Sequence, residues 1–154
     1  DSLCAAIQYK KKFSKEIFKR YHKGGSLGKN LLLVKDIMTS GKKIPTIDKN
    51  KTIGDAAKVI SAKKLGLVLV MKKNKLISIA TDGDCRRGLA KFSKNDKIEK
   101  IATRNPFKID ENTTAYKALS VMNQKKITSL IVSSSSGKIK GICHIHHLLT
   151  HGIK

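Results

Sequence analysis

Four polar residues stand close together just after a predicted β-strand in the middle of the chain. Thr81, Asp84, Arg86 and Arg87 bring a hydroxyl, a carboxylate and two guanidinium groups into the first turn of a predicted helix. A hydroxyl and the free backbone N–H groups of a helix start can hold phosphate oxygens, and guanidinium groups add charge-assisted contacts. A carboxylate at this place also stabilises the helix by capping it. The residue types therefore fit an anion-binding site or a simple helix cap.

A second group of chemically active side chains lies near the C-terminus. Cys143, His144, His146 and His147 are of the types that bind zinc. Successive side chains of a strand point to opposite faces, so Cys143 and His144 are expected to point apart. No second cluster of such residues supplies the remaining ligands, and we predict no metal site. Protonated histidines here are instead expected to favour a phosphate at mildly acidic pH.

The charge balance is strongly basic, which attracts anionic ligands over long range but is also what an AT-rich genome would write into any protein surface. Among 154 residues, Lys and Arg number 33 and Asp and Glu 11, which gives a net charge of +22. Nearly all of the cations are lysines spread along the chain, and aromatic residues make up only 5%. Lysine lacks the bidentate fork of arginine, and stacking platforms for bases are missing. We therefore expect an anionic small molecule as partner rather than nucleic acid, and keep a basic nucleic-acid-binding protein as an alternative.

The composition also argues against a membrane-spanning protein and indicates a reducing compartment. The longest purely apolar run, residues 67–71, is far shorter than the ~20 residues of a membrane span. Three scattered cysteines argue against a disulfide framework and for the reducing cytoplasm. The chain begins Asp1-Ser2-Leu3, within what reads as a helix. We therefore expect a cytoplasmic piece of a longer protein.

An internal repeat organises most of the chain. Residues 47–52 (Ile-Asp-Lys-Asn-Lys-Thr) recur as 109–114 (Ile-Asp-Glu-Asn-Thr-Thr), a shift of 62, which becomes 63 after a longer turn in the second copy. Each copy predicts a short strand, a helix, two strands joined by a turn, and a closing helix. Neither copy is large enough to bury a good core alone, so the two are expected to pack sheet against sheet. The predicted fold is a mixed α/β pair of β-α-β-β-α units.

Capping residues and apolar runs set the expected boundaries within each copy. Thr52 and Thr114 are predicted N-caps, with Asp55 completing a capping box in the first copy. Gly66 is predicted to end the first helix in a left-handed conformation. A further helix is expected through residues 31–33. The predicted strands are 67–71, 76–81, 130–132 and 139–144, and the closing helices are 84–90 and 146–151.

The repeat and its neighbouring motifs resemble a known family. A tandem of such units looks like a CBS-domain pair, named after cystathionine β-synthase. The order of the motifs is similar to the C-terminal half of D-arabinose 5-phosphate isomerases. We therefore predict a helical tail of a sugar isomerase domain at 1–34, a first CBS unit at 35–97 and a second at 98–154. The motifs that carry this resemblance are Asp1-Ser2-Leu3, His22-Lys23-Gly24-Gly25-Ser26-Leu27-Gly28, Asp36-Ile37-Met38, Thr81-Asp82-Gly83-Asp84-Cys85-Arg86-Arg87, Ile127-Thr128-Ser129 and His144-Ile145-His146-His147-Leu148-Leu149.

The resemblance implies a sugar-phosphate isomerase as the parent protein. Such enzymes interconvert D-ribulose 5-phosphate and D-arabinose 5-phosphate by proton transfer, on the route to the Kdo sugar of lipopolysaccharide. His22 stands where the family has an active-site histidine, although Lys23 replaces the proline of the family motif. The family's remaining catalytic groups lie upstream, so this chain alone is expected to be inactive. An alternative is an oligomerisation module that contributes His22 to an active site assembled with a separate isomerase domain.

The resemblance also implies a regulatory ligand, with no required cofactor. CBS pairs bind adenosine nucleotides between their units, and Thr81 and Asp84 match the family's Thr-x-x-Asp signature, the carboxylate accepting bonds from ribose. Arg86 and Arg87 are expected to add phosphate contacts. The ligand is left open between an adenosine nucleotide and a CMP-linked sugar. His144 and His147 replace the signature in the second unit, where a degenerate site or another ligand is expected. The family further implies a homodimer or homotetramer.

Overall fold

The computed structural model describes residues 31–154, which form two four-stranded sheets and four α-helices. Short 3₁₀ turns lie at Val34–Asp36, Gly41–Lys43 and Ile98–Lys100. The helices and strands follow one another as β1 (Thr39–Ser40), β2 (Thr46–Asp48), α1 (Ile53–Lys63), β3 (Leu67–Lys72), β4 (Lys75–Thr81), α2 (Asp82–Leu89), β5 (Thr103–Arg104), β6 (Lys108–Asp110), α3 (Ala115–Lys125), β7 (Ser129–Ser133), β8 (Ile139–His144) and α4 (Ile145–Thr150).

The two longest helices begin and end as their sequences require, with one correction. Thr52 accepts a hydrogen bond from the Asp55 backbone N–H at 3.2 Å, and Thr114 accepts one from Lys117 N–H at 3.2 Å. The prediction that Gly66 ends α1 is wrong. The helix ends at Lys63 and Lys64 takes the left-handed C-cap position at φ 56°, while Gly66, two residues further on, is left-handed as predicted, at φ 72°.

Each sheet joins one repeat to a short edge strand from elsewhere in the chain. In the first sheet the order is β2-β3-β4-β5, with β2 parallel to β3 and the other pairs antiparallel. In the second the order is β1-β8-β7-β6, again with one parallel pair, β6 and β7. The predicted β-α-β-β-α order is thus confirmed in both copies, and the predicted strand ends differ from the observed ones by at most one residue.

The edge strands show that the two units exchange segments. β1 precedes the first repeat but pairs with β8 of the second, with Thr39 opposite Ile142. β5 precedes the second repeat but pairs with β4 of the first, with Thr103 opposite Ile79. Val34, before β1, is fully buried in the core of the second unit. Each unit of the predicted 35–97 and 98–154 pair therefore completes its sheet with residues from the other.

The segments that lead into β1 and β5 also satisfy N–H groups at the helix starts, which have no partner within their own helix. Ala115 N–H at the start of α3 donates to Leu32 C=O at 2.8 Å. Ile53 N–H at the start of α1 donates to Asp96 C=O at 2.9 Å. The expected helix through 31–33 is not formed, because Leu33 pairs as a β-bridge with Thr114 instead.

The apolar faces of the two sheets pack against each other. This central seam buries Leu67 and Leu69 from β3 against Ile131 of β7 and Ile142 of β8. Two further cores lie beneath the helices, one in each unit. The predicted sheet-on-sheet packing is confirmed. Among residues 31–154, no helix combines the length and apolar character needed to cross a bilayer.

Gly141→Ala tests the exchange of β1. A methyl group at Gly141 would meet the Thr39 carbonyl oxygen and lie 2.7 Å from Met38 Sδ, so β1 could not stay paired with β8. We expect the substitution to lower the free energy of unfolding in urea by about 1–3 kcal/mol.

The matched control for Gly141→Ala is Ser78→Ala, at the equivalent place in the first unit. Ser78 lies opposite Arg104 of β5 and is buried, so that site already holds a side chain. This control should cost less than Gly141→Ala. Equal losses in the two variants would show that β1 is not held as closely as the structure has it.

Candidate functional site

The β4–α2 junction of the first unit forms a closed capping box. Thr81 Oγ1 accepts from Asp84 N–H at 3.1 Å, and Asp84 Oδ2 accepts from Thr81 N–H at 2.9 Å. The Thr81 hydroxyl also donates to the same Oδ2 at 2.7 Å. Asp84 therefore performs the helix-capping role that its sequence position allows. Its side chain remains 20% exposed at the surface of the junction.

Both arginines of the junction pair with carboxylates of the same helix. Arg87 donates to Asp84 Oδ1 at 2.8 Å, and Arg86 donates to Asp82 at 3.2 Å. The guanidinium side chains are 74% and 78% exposed, so these pairs are surface interactions that stabilise the helix only weakly. Each guanidinium keeps several N–H donors for another anion.

A cleft of about 860 Å³ opens beside this junction, between the two units. Thr81, Asp84, Arg86 and Arg87 all line it, as does Ile79 of β4. The structure thus brings together the four residues that the sequence singled out in the first unit.

The opposite wall of the cleft comes from the second unit and was missed by the sequence reasoning. It consists of the segment before β6, the C-terminal end of α3 and the start of β7, namely Asn105, Pro106, Phe107, Lys125, Lys126, Ile127, Thr128 and Ser129. Lys125 Nζ lies 4.3 Å from the Phe107 ring centroid, which places a cation and an aromatic face together on this wall. The resemblance motif Ile127-Thr128-Ser129 was the one available signal for it.

The β8–α4 junction of the second unit repeats the capping box with histidines. His144 N–H donates to His147 Nδ1 at 3.1 Å, and His146 N–H donates to His144 Nδ1 at 3.1 Å. His147 Nε2 lies 3.4 Å from Thr39 Oγ1 of β1. His144 and His147 therefore occupy the positions of Thr81 and Asp84, outside the 860 Å³ cleft.

These contacts favour the neutral form of both rings. Partial burial lowers the pKa of His144, and the nearby His146 and His147 lower it further. Burial likewise lowers the pKa of His147, with smaller contributions from His151 and His146. An Nδ1 atom that accepts a backbone N–H cannot also carry a proton. The geometry therefore opposes the protonated, phosphate-binding state that the sequence suggested for mildly acidic pH.

The two cysteines of the described segment lie in the cores. Burial raises the pKa of the Cys143 thiol to about 12. Burial, followed by Asp84 and Asp82, raises the pKa of Cys85. As strand alternation predicts, Cys143 packs inside while the neighbouring His144 lies at the junction. Within residues 31–154, no three His, Cys, Asp or Glu side chains come together as a set that could hold a metal ion.

Comparison with known proteins places the repeat in a family. The model of the CBS domain matches twice, at residues 34–91 and 98–154. The chain belongs to the CBS-domain family. This CBS pair also resembles a solved structure, that of the CBS-domain pair of protein MJ0100 in complex with 5′-methylthioadenosine and S-adenosyl-L-methionine. The two share 26% identity and a TM-score of 0.69, over 80% of this chain and 99% of the other.

Curated relatives extend the similarity beyond the repeat. Over 99% of this chain, the sequence is 35% identical to arabinose 5-phosphate isomerase KdsD of Yersinia pestis. Over 97% of this chain, it is 38% identical to KdsD of Francisella tularensis. It covers 48% and 46% of those two proteins, so the chain spans about half the length of the curated relatives it matches. The predicted similarity to a CBS pair of this isomerase family is confirmed.

His22, the predicted catalytic residue, and most of the predicted 1–34 tail lie outside the described residues. The roles of the junction residues in ligand binding stay predictions, as do the domain boundaries at 34/35 and 97/98.

The histidine capping box predicts a pH-dependent stability. Because the folded-state pKa values of His144 and His147 are depressed, the unfolded chain binds more protons around pH 6, and stability rises with pH. The stabilising contribution is complete above about pH 6.5 and is lost as the pH falls through the folded-state values. We expect the free energy of unfolding, measured in urea, to fall between about pH 8 and pH 5.

The double variant His144→Thr/His147→Asp restores the box of the first unit and serves as the comparison. It removes the two depressed histidines and should show a smaller loss of stability over the same pH range. The same slope in both proteins would contradict a role for the histidine box.

Proposed function

We propose that this chain is the regulatory part of a sugar-phosphate isomerase and that it binds an adenosine ligand in the 860 Å³ cleft between its units. The observation that carries the proposal is the composition of that cleft. Its first-unit wall supplies Thr81, Asp84 and two arginines, and its second-unit wall supplies lysines and hydroxyl groups. Because both units line one cleft, a ligand there contacts both.

The walls match the parts of a nucleotide. Leu67, Ile79 and Ile131 give the cleft an apolar side for a base, and Phe107 adds an aromatic ring that is 47% exposed. Lys126 also lines the cleft, and its ammonium group can bind a phosphate. These features support a ligand with a flat apolar body and a negative charge.

The capping box does not prevent Asp84 from binding a ribose. A carboxylate has about four acceptor positions. Three bonds reach Asp84 here, from Thr81 N–H, the Thr81 hydroxyl and Arg87. One position therefore remains for a ribose hydroxyl. Arg87 can turn toward a phosphate, since its pair with Asp84 lies at the surface.

The comparisons supply the class of ligand and of parent protein. The CBS-domain pair of MJ0100, which is 26% identical to this chain, was solved in complex with two adenosine compounds. KdsD isomerases match nearly the whole chain. We propose an adenosine nucleotide ahead of a CMP-linked sugar for this reason. The second junction lacks both Thr and Asp, so we propose a single adenosine site per chain.

Titration with AMP tests the site through two matched lysines. Lys126 and Lys64 both end their helix in the left-handed conformation, at φ 54° and 56°, but of the two only Lys126 lines the cleft. Asparagine tolerates this conformation. By calorimetry we expect Lys126→Asn to weaken AMP binding about three- to tenfold, because it removes a charge beside the phosphate. Lys64→Asn should leave binding unchanged.

Parallel titrations with S-adenosyl-L-methionine, ATP and a CMP-linked sugar identify the ligand. Saturable binding of the CMP-linked sugar alone would show that this sugar, and not an adenosine nucleotide, is the ligand of the cleft. Absence of binding by all four compounds would overturn the proposal and leave the cleft as a packing feature between units.

The chain alone is expected to convert no D-ribulose 5-phosphate to D-arabinose 5-phosphate. One histidine, His22, is the only catalytic residue that the family resemblance assigns to it, and aldose–ketose isomerisation needs both a base and groups that stabilise the enediolate. Turnover by the purified chain that disappears in His22→Ala would contradict this expectation.

A further inference from the structure

A second groove, of about 600 Å³, lies at the other end of the central hairpins and is lined by lysines. β4 runs from Lys75 at this groove to Thr81 at the adenosine cleft. At about 3.3 Å per residue, the two ends of this strand are roughly 20 Å apart. The groove is therefore a separate feature from the candidate adenosine site. We call it the lysine groove, with Lys42, Lys75, Lys108 and Lys138 as its cations.

Equivalent residues of the two units line the lysine groove together. Lys75 and Lys138 are related by the repeat shift of 63, and both lie where their hairpin turn meets the following strand. Leu76 and Ile139 come next in each strand and also line the groove. The groove thus straddles the approximate symmetry axis of the repeat, and a molecule bound in it would contact both units at once.

The turns hold these lysines at the rim. Lys73 and Asn74 both have positive φ, at 45° and 61°, which closes the first hairpin tightly just before Lys75. In the second hairpin, Ser134 N–H donates to Lys138 C=O at 2.8 Å. The positions of the two ammonium-bearing residues are therefore fixed by backbone structure.

The charge in the lysine groove is unopposed by the residues that line it. No Asp or Glu is among them, and the four lysines are exposed. The ion pairs of the described segment lie elsewhere, on α2 and between Asp96 and Lys100. Ammonium groups brought together without carboxylates repel one another, and a multivalent anion relieves that repulsion.

A neighbouring depression extends the positive surface. It shares Lys75 with the lysine groove and adds Lys49, Lys72 and Arg104, against one carboxylate, Glu99. The field at this end of the molecule is therefore positive over more than one pocket, which attracts anions from a distance.

The floor of the lysine groove is apolar. Leu69, Met71, Leu76 and Ile139 line it and belong to the central seam between the sheets. An apolar floor excludes water from one side of a bound anion, which strengthens its attraction to the lysines and makes their pairing with it necessary to offset the lost hydration. The groove is therefore shaped for a compact anion held from several sides.

We propose that the lysine groove binds a small anion that carries two or more phosphate groups, separately from the adenosine site. Lysine suits this ligand because its compact ammonium group acts as a point charge on phosphate and needs no bidentate geometry. Bound across Lys75 and Lys138, such an anion clamps the two hairpins together. This proposal does not depend on the adenosine site being occupied.

The experiment titrates the whole chain with inorganic tripolyphosphate, which lacks any nucleoside. We expect saturable binding of one ion per chain that weakens as the salt concentration rises. The variant Lys75→Gln/Lys138→Gln should bind at least about tenfold more weakly, since two charge-assisted contacts are lost.

The matched control removes two charges elsewhere. Lys58→Gln/Lys117→Gln changes exposed lysines on α1 and α3, outside the groove, and should alter binding less than about twofold. Equal weakening of tripolyphosphate binding in the two double variants would show that the loss comes from the lower net charge and not from the groove, and would overturn the proposal. Absence of saturable binding would overturn it as well.

AMP separates this site from the adenosine cleft. Tripolyphosphate binding should persist in saturating AMP and in Lys126→Asn. Loss of tripolyphosphate binding under both conditions would place the ion in the cleft instead and overturn the lysine groove as a separate site.

Discussion

The structure depends on a reciprocal exchange of backbone between its two units. The first N–H of α3 donates to Leu32 C=O, and the first N–H of α1 donates to Asp96 C=O. The sheets are completed in the same crossed manner by β1 and β5. Unsatisfied N–H groups at a buried helix start are costly, so each of these helices depends on the segment that leads into β1 or β5. The pair is therefore one cooperative structure built from two repeats.

That exchange explains why the two candidate ligand-binding pockets lie between units. The crossed segments hold the two sheets face to face, and the seam of Leu69 and Ile131 fills only the centre of the contact. The space on either side becomes the adenosine cleft at one end of β4 and the lysine groove at the other. Residues of both units line each pocket, so a ligand in either one would contact both units, as the proposed regulatory role requires. Leu32 and Val34, which precede β1, pack in the core of the second unit.

The two junctions show how one backbone can carry two different electrostatic properties. Thr81 and Asp84 close a box with a carboxylate that remains available to a ligand. His144 and His147 close a box of the same form with neutral nitrogen acceptors. The first suits a ribose and a phosphate, whereas the second ties helix stability to proton concentration. The repeat therefore does not make the chain functionally symmetric.

The sequence alone determined the repeat, its element order, its helix caps and the first-unit half of the site, because these follow from local periodicity and neighbouring residues. It did not reveal that β1 and β5 cross between units, since two-residue strands carry no periodic signal. It also missed Lys126 and Phe107, which line the same cleft as Asp84 only through tertiary packing. The C-cap of α1 is Lys64, with Gly66 left-handed two residues later, so the glycine marked the turn but not the residue at which the helix ends. Tertiary structure alone decided which lysines, among many, lie around one groove, because a cluster is set by distance in space and not by spacing along the chain.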